Sequence, residues 1–247
     1  MSTAQQAMLD TQQTSSSKMI ATLGLVAAMS GFLVVLIFQF TLPMINENKR
    51  IAIENAVFKV VPQGGVTRKT FVVTDTGLAQ PGEAEGTTVY AAYAANGTLL
   101  GLATESAAQG YADMVRIIYG YDPSCQCITG FTVIKMTETP GLGDKITRDQ
   151  AFQANFDALD ARVNATGDAL ANPIRVVKHG SKKNPWEIDA ISGATISSKA
   201  VGKAIGSSAE KLIPLLHRYL PEIARASLDG GVDNAKGAKA PSSQREK

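Results

Sequence analysis

The sequence predicts an α+β protein: a single N-terminal membrane-crossing helix, then one soluble domain with an antiparallel sheet and flanking helices. Three observations carry that reading. From Ile20 to Leu42 no charge interrupts a run dominated by Leu, Val, Ile, Phe, Ala and Met. Between Thr70 and Met136, short β-prone runs alternate with turn residues. Beyond Thr195, apolar residues recur at helical spacing. The expected boundaries are a disordered tail over 1–18, the span over 19–43, the soluble domain over 44–226 and a second disordered tail over 227–247.

As a helix, Ile20–Leu42 extends roughly 34 Å, enough for a hydrocarbon core of about 30 Å. The rival reading, a cleaved signal peptide, needs a shorter apolar core and a small-residue cleavage site. Leu42-Pro43-Met44-Ile45-Asn46 offers no such site, so a retained single-span anchor in the lipid bilayer is expected. Only Lys18 precedes the span closely, whereas Lys49, Arg50 and Lys59 follow it. Counted alone, those bases favour a cytoplasmic C-terminal portion. Asn46–Val61 then reads as a helix, ended by Pro62-Gln63-Gly64-Gly65.

Within the domain, Thr70–Val73 is one β-prone run. Thr87–Ala94 and Thr98–Thr104 flank Asn96-Gly97, whose residues tolerate positive φ and signal a hairpin. Met114–Tyr119 and Ile128–Met136 flank Asp122-Pro123-Ser124. Together they predict an antiparallel meander with one buried face. Thr147–Val163 reads as a helix with Thr147 and Gln150 as a capping box and Phe152, Phe156, Leu159 and Val163 on one face. Ile174–Lys178 and Glu187–Ile191 read as strands. The final helix buries Val201, Ala204, Ile205, Leu212 and Leu216, with Pro214 kinking or ending it.

Composition excludes several classes. The 24 basic and 22 acidic residues nearly balance. With no basic patch interleaved with aromatics, a nucleic-acid partner is not expected. Two cysteines and two histidines are too few and too scattered for a typical metal site, so none is expected. No nucleophile–base pair or paired carboxylates stand out, so no independent turnover is expected of the chain.

Two motifs carry the chemistry. Asp189-Ala190-Ile191-Ser192-Gly193-Ala194-Thr195 lies between an extended apolar segment and the last helix. It sets a threonine hydroxyl beside a helix N-terminus, where unpaired N–H groups and the dipole favour a phosphate. Ser192, Gly193 and Ala194 leave room for a bulky group to reach Thr195. The plain alternative is a helix-capping threonine worth about 1 kcal/mol. Upstream, Thr137-Glu138-Thr139-Pro140-Gly141-Leu142-Gly143-Asp144-Lys145 follows the strongest strand. Pro140 and Gly141 force a turn there, and Gly143 permits close backbone approach. Alone, it could be an ordinary strand-to-helix connection.

Together, Glu-Thr-Pro-Gly-Leu-Gly and Ser-Gly-Ala-Thr behind one N-terminal span resemble the FMN-binding domain family. Within it, the pattern is most similar to the G subunits of Rnf ion-translocating electron-transport complexes, which the Gly143–Ile146 continuation favours. The C subunit of the sodium-translocating NADH:quinone reductase is the near relative. The resemblance implies one FMN joined to Thr195 by a phosphoester, installed by a separate flavin transferase that reads Asp189–Thr195. It implies Ser192, Gly193 and Ala194 as the acceptor loop, with Glu138, Thr139, Gly141 and Leu142 beside the flavin. It also implies an electron relay among other membrane subunits of an Rnf-type complex, coupling NADH or ferredoxin redox chemistry to ion translocation. The span would sit in a bacterial inner membrane with the domain on the periplasmic or outer side, against the charge count above. A membrane-anchored assembly module without redox chemistry is the reading of a different class.

Gly110-Tyr111 matches a recurrent Gly-Tyr of the family, but Ala112-Asp113 stands where small glycines are usual, and Cys125-Gln126-Cys127 is an unusual insert. A disulfide across so small a ring is strained, so two incidental thiols are expected there, with a redox role as the lesser reading. His179 and His217 are expected to be surface or structural. Trp186 is expected in the core, and Lys178, Lys182 and Lys183 in a solvated loop.

Overall fold

The computed structural model describes residues 16–61 and 67–226. The expected tails and the helix-ending Pro62–Gly65 lie outside these residues, except that residues 16–18 open the first helix. The chain divides after Ile51 into two units. Helix α1 (Ser16–Val60) runs through both, continuous across Pro43. In the first unit it is long and apolar enough to cross a membrane. Its Leu23, Phe32, Val34 and Phe40 are all exposed.

In the second unit, seven strands form an antiparallel sheet: β1 (Thr67–Val73), β2 (Leu78–Ala79), β3 (Thr87–Tyr93), β4 (Leu99–Gln109), β5 (Met114–Asp122), β6 (Cys127–Lys135) and β7 (Leu159–Asp160). Their spatial order is β2-β1-β3-β4-β5-β6-β7, so β3 to β6 form the expected meander. Asn96-Gly97 does reverse the chain, but only Gly97 takes a positive φ, at 81°. Gly97 N–H donates to Ala94 O at 2.9 Å and Ala94 N–H to Thr98 O at 2.8 Å, making a longer turn ending in a left-handed glycine.

Both faces of the sheet are covered, not one. Val57, Val60 and Val61 pack on Ala92, Ala103 and Ile118, while the alternate residues Ala91, Tyr93, Leu102, Ile117 and Tyr119 join the larger core. Thr129 Oγ1 donates to Val60 O at 2.6 Å, beneath which a Cβ on Gly120 would collide. Helix α3 (Thr195–Arg225) lies over the opposite face. Tyr93 Oη donates to Ile223 O (2.7 Å), Ser106 Oγ to Ala204 O (2.8 Å) and Tyr119 Oη to Ser208 Oγ (2.8 Å). Desolvation pushes the Tyr93 hydroxyl up to about 12. Pro214 does not end α3. It forfeits one helical bond, but Leu212, Ile213, Leu216 and Ile223 stay buried on both sides of it.

The helix expected over 147–163 is broken into a 3₁₀ turn (Gly143–Thr147), a single turn α2 (Gln150–Gln153) and a second 3₁₀ turn (Ala154–Phe156). Thr147 closes the first turn by donating to Asp144 O at 2.8 Å. Asp149 is the cap, accepting from Phe152 N–H at 2.9 Å. The buried Asn155 explains the break. Its Nδ2 takes the carbonyls of Ala151 (3.2 Å) and Phe152 (3.0 Å), competing with the helical ladder. Phe152 and Phe156 still reach the core, meeting Phe131 edge-on. Strands β8 (Arg175–Val177) and β9 (Glu187–Asp189) pair in parallel as a separate sheet beside α3.

Cys125 and Cys127 are joined, which corrects the expectation of incidental thiols. Between them Gln126 takes φ 51°, the one positive φ outside glycine among the described residues. That fold brings the two Cα atoms to 5.2 Å, within disulfide range.

Candidate functional site

Three loops meet at one end of the sheet: the β4–β5 turn (110–113), the segment after β6 (137–143) and the turn before α3 (191–194). The buried carboxylate of Glu138 ties them. Its Oε1 accepts from Tyr111 N–H (2.9 Å) and Ala112 N–H (3.2 Å), and its Oε2 accepts from Ser197 Oγ in the first turn of α3. Gly143 is required beside it, since a Cβ there would stand 2.6 Å from Ser197 Oγ and 2.9 Å from Glu138 Cβ. Asp113 adds a second tie, accepting from Met114 N–H (2.7 Å) and Thr137 Oγ1 (3.3 Å), bonds that hold its carboxyl below the ordinary value.

The turn before α3 is shaped by the chain itself. Ala194 N–H donates to Ile191 O (3.1 Å) around Gly193, whose φ is 80°. Ser198 Oγ accepts from Ile191 N–H (3.1 Å) and donates to Ala194 O (2.9 Å). The N-cap of α3 is Ala194, with no side-chain cap. Thr195 is therefore not the capping threonine of the plain alternative. It is the first helical residue, and it is exposed. The first helical bond runs from Ser198 N–H to Ala194 O, so the N–H groups of Thr195, Ile196 and Ser197 precede the ladder.

These walls enclose a cavity of about 530 Å³, lined by Tyr111, Glu138, Thr139, Leu142, Gly143 and residues 193–197. Of the residues expected from the sequence, Thr195, Gly193, Ala194, Glu138, Thr139 and Leu142 lie in this lining. Ser192 lines an adjacent cavity of about 250 Å³ with Lys145, Asp149, His179 and Asp189. Gly141 lines neither and shapes the turn with φ 80°. Glu138 is 6% exposed and both its oxygens serve the protein, so it builds the wall.

Gly143, Tyr111, Ile196 and Ser197 complete the lining, and no sequence motif marks Ile196 or Ser197 as site residues. In the second unit, the exposed large apolar residues are Phe58, Tyr111, Met114, Leu142 and Ile196, among the described residues. Three of those five rim this one cavity, where exposed apolar surface marks a binding site. No lysine or arginine lines it, and the N-terminus of α3 is the positive dipole end that faces it. Trp186 is half-buried and lines neither cavity.

Behind the turn before α3, Asn155 Oδ1 accepts from Asp189 N–H (3.1 Å) and from Lys182 Nζ (3.0 Å), fixing where the motif begins. Asp189 Oδ2 accepts from Gly180 N–H (3.0 Å). Next to it, Glu187 Oε2 accepts from Lys183 N–H (2.9 Å) and Asn184 N–H (3.1 Å), and Oε1 pairs with Arg175 at 2.7 Å. Led by the Lys183 bond, these contacts hold the Glu187 carboxyl down from 4.5 to about 2. Its folded value lies below its unfolded one, so its stabilisation is complete above the unfolded value and is lost as pH falls through the folded one. Melting temperature should therefore drop between about pH 5 and pH 2. Glu187→Gln should melt lower at neutral pH and respond less to acid, as a pH series of thermal melts would show.

A model of the FMN-binding domain family matches residues 110–210, the stretch that carries all three walls. The chain is 30% identical over 194 residues to the G subunit of the ion-translocating oxidoreductase complex of Vibrio vulnificus, covering 76% of this chain and 85% of that protein. It is 32% identical over 154 residues to the G subunit of the Na(+)-translocating ferredoxin:NAD(+) oxidoreductase complex of Acetobacterium woodii, covering 62% and 66%. Its fold matches that of NqrC from Shewanella oneidensis with a TM-score of 0.57 at 17% identity, over 72% of this chain and 98% of that one. The first three curated relatives are matched over 53 to 66% of their own length. With the cavity residues inside the matched stretch, the chain belongs to the family of G subunits of ion-translocating oxidoreductase complexes and carries its FMN-binding domain.

Proposed function

We propose that the chain is a membrane-anchored flavoprotein that relays electrons through one FMN, esterified by its phosphate to Thr195 Oγ1, within an Rnf-type complex. The observation that carries this is the setting of Thr195. Its exposed hydroxyl opens a 31-residue helix that has no side-chain cap, inside a cavity of about 530 Å³ with an apolar rim. The residues suit the group. The N–H groups of Thr195, Ile196 and Ser197 would receive the phosphate, Tyr111, Leu142 and Ile196 would lie against the ring, and Thr139 offers a hydroxyl to the polar chain between them. When bound, FMN supplies redox chemistry in one- or two-electron steps.

The protein's part is position. Glu138 fixes the distance between the two walls, and Asn155 fixes the start of the acceptor segment. A tether keeps the cofactor at high effective concentration without a deep pocket, so the cavity can stay open toward a neighbouring subunit. A flavin transferase would load Thr195, and the α1 span would anchor the chain in the lipid bilayer. The Cys125–Cys127 disulfide is compatible with a domain outside the cytoplasm. Relatives named for ferredoxin:NAD(+) oxidoreductase complexes favour that assembly, with ion translocation as its output.

Chain purified with its own transferase present should weigh one FMN less water more than the bare polypeptide. Its denatured gel band should fluoresce under ultraviolet light. A dark band of unmodified mass would favour the non-redox assembly module instead.

A further inference from the structure

We propose that Cys125 and Cys127 form a redox-active dithiol–disulfide couple that exchanges with external thiols, separate from the flavin cavity. The β5–β6 turn that holds them lies at the far end of that hairpin from the Tyr111–Glu138 wall. Each strand is nine residues long, so the separation is roughly 26 Å. The inference does not rest on the flavin reading.

Four features distinguish this bond from a structural staple. It spans a sequence separation of 2, so it restricts the unfolded chain little, and the hairpin is already held by the β5–β6 ladder. The two sulfurs differ in access: Cys125 is exposed at the turn, whereas Cys127 is 7% exposed at the start of β6. Closure holds Gln126, a residue with a Cβ, at φ 51°, and opening releases it. Finally, the residues flanking Gln126 have holds that do not involve the sulfurs. Asp122 pairs with Cys127 and Cys127 with Asp160 in the sheet, and Asp122 Oδ1 accepts from Ser124 N–H (2.7 Å). The thiols are therefore kept together after reduction, ready to close again.

The chemistry follows from access. A thiolate of a dithiol reductant attacks Cys125 Sγ and forms a mixed disulfide. The Cys125–Cys127 bond breaks, and its electron pair leaves on Cys127 Sγ, which takes a proton from water. The reductant's second thiolate attacks its own sulfur in the mixed disulfide and releases Cys125 as thiolate, which is then protonated. The reductant ends as a disulfide, having passed two electrons to the protein. The reduced Cys125 thiol has an acceptor at hand, since its Sγ lies 3.6 Å from Asp122 O.

The test uses the full chain in detergent, equilibrated in glutathione buffers from fully reduced to fully oxidised. Acid quenching and maleimide labelling then give the dithiol fraction by mass. The expected result is a reversible transition within the buffer range. Gln126→Gly should shift it about threefold toward the disulfide, because glycine removes the left-handed penalty of closure while loss of the Gln126 Oε1–Val163 N–H bond offsets part of that gain. In the single variants, Cys127→Ser should leave Cys125 quick to label, and Cys125→Ser should leave Cys127 slow. A bond that opens only after the chain is unfolded would make it a staple and overturn the proposal. So would two cysteines that label fully even in oxidised glutathione.

Discussion

Replacing Thr195 with alanine should remove flavin from the chain altogether while leaving the domain folded. The side chain is exposed, and α3 starts without it, because Ala194 holds the N-cap position and Ser198 supplies the local bonds. Alanine is the better helix former, so stability should change by less than about 0.5 kcal/mol. Thr195→Ser keeps a hydroxyl at the same place and should still accept the group. The measurement is intact mass and visible absorbance after denaturation, with the transferase co-expressed. Flavin surviving denaturation in Thr195→Ala would move the ester to another residue and remove the basis of the proposed relay.

Glu138→Ala should be the most damaging substitution among the cavity walls. It strands the N–H groups of Tyr111 and Ala112 and the Ser197 hydroxyl where the glutamate was almost wholly buried. Each unsatisfied group costs about 1 to 3 kcal/mol, and partial access by water lowers the sum to about 3 to 4 kcal/mol. Glu138→Gln should recover most of the loss. Its oxygen can accept the two backbone bonds, and its amide can donate to Ser197 Oγ after the hydroxyl rotates. Urea melts of the three proteins would measure this. A glutamine variant as unstable as the alanine one would show that charge, and not hydrogen bonding, joins the walls.

The parts legible in the sequence were those fixed by near neighbours. The apolar run of α1, the β3–β6 meander and the buried stripe of α3 each follow from local periodicity. The turn before α3 was legible because Gly193 and Thr195 sit in a short pattern of small residues. What escaped depended on residues distant in sequence. Asn155 reads as an ordinary helical position until Asp189, more than thirty residues later, folds against it. Ile196 lies off the apolar stripe of α3 and carries no motif, yet it lines the cavity and is 52% exposed. Tyr111 is visible as part of a Gly-Tyr pair, and its exposure is the cue that the sequence lacks. Ring strain argues against the disulfide, and one left-handed glutamine removes that objection.

The bonds that shape the acceptor turn all belong to the polypeptide: Ala194 to Ile191, Ile191 to Ser198, and Ser198 back to Ala194. Those three bonds close the turn by themselves, so a phosphate received there would cost little ordering entropy. On the proposed reading, folding and loading would be separable events, and the empty chain should already have the shape of the mature one. A cell that makes the polypeptide faster than it can be modified would then stock its assemblies with silent copies, indistinguishable in form from working ones.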